Sequence, residues 1–156
     1  MARSTAAPVI VRFYQLAATP LDAAIARIAD KAYRLGLKLC VVAPGPDWAR
    51  QLDQFLWRFP PEGFLPHALW DDPEAPIHPL IIALEPDDRN GATVAITAGD
   101  VLLAAPERFD RVVDFALAGD PQSLADSRNR YRHYRGLGCD MEYWTQNDRG
   151  EWAKKS

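Results

Sequence analysis

The chain predicts an α/β fold, a mostly parallel sheet of about five strands flanked by helices, and three features carry that prediction. β-Branched and apolar runs alternate with stretches of helical periodicity through the first half of the sequence. The first such unit reads strand, helix, strand, which normally makes a parallel crossover. The first strand, at 9–16, is apolar on both faces, as in a sheet covered on both sides.

The elements follow in order. Residues 9–16 (Val-Ile-Val-Arg-Phe-Tyr-Gln-Leu) form the first strand. Thr19, Pro20 and Asp22 then supply an N-cap, a proline at the first helical position and an acid in the first turn. Leu21, Ile25, Ile28, Ala29, Ala32 and Leu35 follow at helical spacing as one apolar stripe, which Gly36 ends. Residues 37–43 make the second strand. After the turn Pro44-Gly45-Pro46, a second helix from Asp47 to Trp57 carries Trp48, Leu52, Phe55 and Leu56 on its apolar positions, and Pro60 stops it.

Pro66 to Pro79 holds four prolines with acids between them and reads as a surface loop. Residues 80–84 and 93–97 are compact apolar strands. Their connection, 85–91, is too short for a crossover helix, so parallel pairing of these two as neighbours is not expected. Pro106 to Asp110 predicts a single helical turn, Arg111 to Leu117 a further strand, and the last helix starts near Pro121 and ends at Gly136 and Gly138. The tail from Glu142 to Ser156 is polar apart from Tyr143, Trp144 and Trp152, and its end is expected to be loosely held. One domain spanning 1–156 is expected, with 1–8 and 146–156 as flexible ends.

Composition narrows the function. A chain of 156 residues, 48% hydrophobic, is long enough to bury a real core. Its formal charge of -3 argues against a dedicated nucleic-acid binder, so any anion site must be local. Two cysteines, Cys40 and Cys139, and three histidines, His67, His78 and His133, show no metal-ligand spacing and no disulfide framework. No run approaches the length of a membrane span, and residues 1–8 lack an apolar signal core, so the chain reads as cytoplasmic.

Three constellations remain. The alternating plan invites a nucleotide-dependent enzyme of Rossmann-like fold, but neither GxGxxG nor GxxxxGK[ST] is present. Asp47 with Asp53, or His67, would be the groups for acid–base work, yet no nucleophile or third group stands beside them, and a structural or interface role fits better. The densest basic cluster is Arg128, Arg130, Arg132 and Arg135, interleaved with Tyr131 and Tyr134. It suits a solvated face, an acidic-peptide site or a nucleic-acid site. On a helix, Leu124, Arg128, Tyr131, Arg132 and Arg135 recur three or four apart and share a face, and an apolar Leu124 among arginines favours a peptide with both acidic and apolar groups. Finally, 57–67 crowds Trp57, Phe59 and Phe64 with Pro60, Pro61 and Pro66, which presents aromatics on a stiff loop. Such rigid aromatics serve protein contact or cap the core.

Two of these segments carry a family resemblance. Gln51-Leu52-Asp53-Gln54-Phe55-Leu56-Trp57, followed by Pro60, Phe64, Pro66 and His67, resembles the middle of the chi subunit of bacterial DNA polymerase III, the clamp-loader accessory protein. Arg111-Val112-Val113-Asp114-Phe115, followed by Arg128-Asn129-Arg130-Tyr131-Arg132-His133-Tyr134-Arg135, resembles that family's strand and C-terminal helix at the same spacing. Together they cover most of the chain between Phe13 and Gly138.

The resemblance implies a non-catalytic adaptor with a Rossmann-like three-layer core and no cofactor or metal. It is expected to be a monomer within a heteromeric complex that meets DNA only indirectly. It further implies that Leu124, Arg128, Tyr131, Arg132 and Arg135 take the acidic, phenylalanine-ended tail of single-stranded DNA-binding protein, with Arg128 as the main carboxylate contact. Trp57 and Phe64, with Phe59 and Pro66 beside them, match the surface that contacts psi, the small subunit linking chi to the clamp-loader core. In some relatives an iron-sulfur helicase of the XPD-like class uses an overlapping surface. The chain departs from the enteric pattern in having Leu124 near where a lysine is familiar, and in an N-terminal extension and a longer tail.

Overall fold

The computed structural model describes residues 7–59 and 65–155. Eight strands form one sheet: β1 (Ile10–Leu16), β2 (Leu39–Val42), β3 (His67–Leu69), β4 (Leu80–Ala83), β5 (Val94–Thr97), β6 (Arg111–Leu117), β7 (Asp140–Gln146) and β8 (Trp152–Lys155). Their order across the sheet is β3-β4-β2-β5-β6-β1-β7-β8, and every neighbouring pair is parallel except β7 with β8. Three helices flank it, α1 (Leu21–Arg34), α2 (Pro46–Arg58) and α3 (Pro121–Gly136). The predicted α/β, mostly parallel class holds, with three more strands than the sequence predicts.

The period-two alternation of the strands splits the core into two layers. On one face Leu39, Val41, Leu80, Ile82, Ile96 and Phe115 pack beneath α1 and α2, which contribute Ile25, Ala29, Leu52 and Leu56. On the other, Val11, Phe13, Cys40, Ile81 and Val112 pack with Tyr134 of α3 and the loop residues Leu103 and Phe109. The apolar stripes of α1 and α2 are therefore the ones the sequence marks, except that Leu35 is left 67% exposed at the end of α1. β4 and β5 are not neighbours, since β2 lies between them, in keeping with a connection too short for a crossover. A single 3₁₀ turn spans Pro106–Arg108, inside the predicted helical turn.

Three local expectations are corrected. The prolines of 66–79 do not prevent a short edge strand: β3 pairs with β4 from His67 to Leu69, and a 3₁₀ turn follows at Ala75–Ile77. Edge position is where a proline-bounded strand is tolerated. The stretch from Glu142 onward forms most of β7 and all of β8, because β1 offers a free edge that β7 fills in register from Ile10↔Asp140 to Gln15↔Thr145. Pro20, in extended conformation, is the residue that caps α1. Thr19 does not cap it; the Thr19 hydroxyl instead accepts a hydrogen bond from Gln146 Nε2 at 2.8 Å.

Candidate functional site

The α3 helix starts where Asp120 accepts hydrogen bonds from the Gln122 and Ser123 amides at 3.0 and 3.2 Å, a side-chain cap ahead of Pro121. Its inward side is fixed by polar groups as much as by apolar ones. Ser127, Arg130 and Tyr134 are buried. The Arg130 guanidinium grips Asp114 of β6 with Nε and Nη2, at 2.9 and 3.0 Å. It also donates to the Phe115 carbonyl at 3.1 Å and to Asp100 at 2.9 Å. Tyr134 is fully enclosed, its hydroxyl accepts from the Leu103 amide at 2.9 Å, and burial pushes it up to about 12. Arg130 and Tyr134 are thus removed from the surface cluster in which the sequence places them. A bidentate arginine–carboxylate pair of this kind locks the rotation of α3 about its own axis.

That rotation presents the next stripe, Leu124, Arg128, Tyr131 and Arg132, to a groove of about 620 Å³ between α3 and β7. Gln15, Met141, Tyr143 and Lys155 complete its walls. Arg135, predicted on the same face, is exposed but lies beyond the groove. Phe13 stacks on Tyr143 with ring centres 6.0 Å apart and tilts against Tyr131 at 5.6 Å, so an aromatic layer supports the floor. The Tyr143 hydroxyl donates to Gln15 Oε1 at 2.7 Å, which holds the ring in place.

Charge in the groove is one-sided. Arg128, Arg132 and Lys155 line it and no carboxylate does. Among the described residues neither Arg128 nor Arg132 is paired with an acid, whereas Arg130 takes both Asp100 and Asp114. Cations without counter-ions around an apolar, aromatic floor suit a ligand that carries both a carboxylate and an apolar side chain. Sequence reasoning missed Gln15, Met141, Tyr143 and Lys155. The alternation of Met141 and Tyr143 with Glu142 and Trp144 is the one signal that could have marked β7; nothing marks Lys155.

The second predicted surface lies at the far end of the sheet. Trp57, in the last turn of α2, is 58% exposed, which removes it from the core. Its ring lies 4.8 Å from that of His67, and His67 is buried with Nδ1 2.7 Å from the Leu65 carbonyl and Nε2 3.1 Å from Asp53 Oδ1. His67 therefore ties α2 to β3 as a structural group. Phe59 stacks on Phe55 at 5.6 Å and packs against the core edge, and Pro66 is half-buried. Phe64, with Pro60 and Pro61, lies outside the described residues.

The end of β1, where a dinucleotide-binding fold places phosphate, is filled by the protein itself. Three successive amides, Ala17, Ala18 and Thr19, all donate to Gln146 Oε1, at 3.1, 2.9 and 3.0 Å. Consecutive N–H groups of this kind form an anion nest; here a glutamine from β7 occupies it. Among the described residues no three His, Cys, Asp or Glu side chains are grouped to hold a metal, and no helix is long and apolar enough to cross a membrane. Cys40 is buried in β2, where burial pushes its thiol up to about 12, and Cys139 is also free.

The family model described as DNA polymerase III chi subunit, HolC, matches residues 10–142, from the first residue of β1 into β7. DNA polymerase III subunit chi of Pseudomonas aeruginosa is 29% identical over 120 residues, covering 74% of this chain and 80% of that protein. The family match spans α3 and the core strands, and the chain belongs to the DNA polymerase III chi subunit family, proteins of DNA replication.

Proposed function

We propose that the protein is a non-catalytic adaptor of the polymerase III holoenzyme, whose α3–β7 groove takes the acidic C-terminal tail of single-stranded DNA-binding protein. The observation that carries this reading is the groove itself: Arg128, Arg132 and Lys155, without acidic partners among the described residues, around Leu124, Tyr131, Met141 and Tyr143. A terminal carboxylate would sit on the Arg128 guanidinium while the last side chain, a phenylalanine, packs on the aromatic floor. Leu124 adds apolar area where a lysine would add charge, so this groove relies more on burial and less on long-range attraction than a lysine-bearing one. The chain would reach DNA only through the coating protein.

The surface around Trp57, Phe59 and Pro66 serves the second contact, psi of the clamp loader or, as the alternative, an iron-sulfur helicase, and by sequence Phe64 is assigned to the same contact. An exposed tryptophan braced by a buried histidine supports that assignment, because a preordered aromatic gives up little entropy on binding.

Fluorescence anisotropy with a labelled peptide copying the acidic tail tests the first contact. Arg128→Ala should weaken binding at least roughly tenfold, about 1.4 kcal/mol or more, with the melting temperature unchanged. Arg132→Ala should do less, and its effect should fade as salt rises. Amidating the peptide's terminal carboxylate should reproduce the Arg128 loss. Equal affinity in parent and Arg128→Ala would show that the groove is not the tail site.

A further inference from the structure

We infer that the opposite face of the sheet carries a second docking groove, between α1 and strands β1 and β6, that takes an acidic segment of a partner protein with aliphatic or aromatic side chains. The groove exists because the chain leaves it open. Both the β1–α1–β2 and the β2–α2–β3 connections carry the chain from β1 toward the β3 edge on this face, and α3 covers the other face. Nothing in the described residues crosses back over β1, β7 and β8 here. The result is a concavity of about 380 Å³ whose floor is Ile28, Leu37, Val113 and Phe115, with Tyr14 and Trp152 closing one side.

Its charge is as one-sided as that of the α3–β7 groove, in a chain whose net charge is -3. Arg12, Arg27, Lys31 and Arg111 line it and no carboxylate does. Arg12 is paired with Glu142, its Nε 3.3 Å from Oε1, so the cations left over are the other three. Among the described residues Arg27, Lys31 and Arg111 have no acidic partner. Arg27 and Lys31 are exposed and four residues apart on α1, so they bracket the apolar floor as rim charges. Leu35, 67% exposed, and Trp152, 41% exposed, extend the apolar surface at its ends.

This chemistry favours peptide over nucleic acid. Single strands are held by bases stacked on open aromatic faces. Here the floor is mainly aliphatic, and Tyr14 and Trp152 meet edge to face at 5.3 Å and 78°. Apolar side chains pointing into the floor, with carboxylates reaching Arg27, Lys31 and Arg111, match the arrangement throughout.

The test uses the full chain with methyl-labelled side chains and two probes: a synthetic peptide alternating aspartate and leucine, and an oligothymidylate of the same length. The peptide should move the Ile28 and Val113 methyl resonances saturably. Arg27→Glu with Lys31→Glu should cut that affinity at least roughly tenfold at unchanged melting temperature. If the double reversal does not fold, Arg27→Gln with Lys31→Gln should give a smaller loss of the same kind. The Met141 methyl reports the α3–β7 groove separately, and Arg128→Ala should leave the Ile28 and Val113 response intact, so failure of one groove is not failure of the other. No peptide-dependent shift at Ile28 and Val113 at millimolar concentration, an unchanged affinity in both charge variants, or a response to oligothymidylate in place of the peptide would overturn the proposal.

Discussion

Removing the Gln146 side chain should loosen the sheet edge and the β1–α1 loop together. Gln146 Oε1 accepts from three amides, and Nε2 donates to Thr19 Oγ1 and, at 3.5 Å, to the Gly150 carbonyl, so Gln146→Ala deletes five hydrogen bonds at once. Each is worth roughly 0.5–1.5 kcal/mol net. Ala17 and Ala18 are exposed, so water replaces part of the loss, and a total of about 2 kcal/mol follows. For a chain of this size that corresponds to a fall in melting temperature of roughly 4–8 °C. Gln146→Glu keeps the acceptor and places a negative charge among amides that favour it, losing the Thr19 bond and the longer one to the Gly150 carbonyl; it should stay within about 1 kcal/mol of the parent. Urea unfolding of the three proteins, with equal m values, measures both differences. Sulfate provides an independent readout: with the nest emptied, it should stabilise Gln146→Ala more than the parent. If Gln146→Ala unfolds within about 0.5 kcal/mol of the parent, or if Glu is as damaging as Ala, the amides are not satisfied by this side chain and the reasoning fails.

Arg130→Ala should cost roughly 3–5 kcal/mol by urea unfolding, because it strands the Asp114 carboxylate in the sheet; a loss below about 1 kcal/mol would contradict the pair's role in seating α3. Burial raises the Asp114 carboxyl to about 6, against the pull of the Arg130 guanidinium. With the folded value above the unfolded one, this group's contribution is full below roughly pH 4 and is lost as pH rises through about 6, at up to about 1.4 kcal/mol per pH unit. The stability of the parent relative to Asp114→Asn should accordingly decline between about pH 4 and pH 7, and a flat difference would refute the assignment. Trp57→Ala should change stability by less than about 1 kcal/mol, since the ring is more than half exposed, yet weaken capture of psi or helicase by roughly 2 kcal/mol or more. Calorimetry beside pull-down separates the two, and a large fall in melting temperature would return Trp57 to the core.

Much of this protein is legible from the order of its residues. The stripes of α1 and α2, the apolar strands at 80–84 and 93–97, and the start of α3 at Pro121 are local patterns, each fixed by side-chain periodicity or by a proline. The spacing that places Leu124, Arg128, Tyr131 and Arg132 on one stripe is likewise a property of any helix with this sequence. What periodicity cannot supply is which side of such a helix faces inward. Arg130 and Tyr134 belong to the same basic, aromatic run as Arg128 and Tyr131, and only the buried acceptor at Asp114 and the Leu103 amide decide that they point into the core. β7 and β8 also exist by virtue of tertiary structure: their polar sequence has little drive to order alone, and the open edge of β1 supplies the backbone partners. That pairing brings Met141, Tyr143 and Lys155 to the groove across from α3, and Gln146 to the amides after β1, from positions that are remote in sequence. The sequence by itself determined the three helices, five of the strands and the basic stripe; the sheet edge and one buried arginine decided which residues form the site.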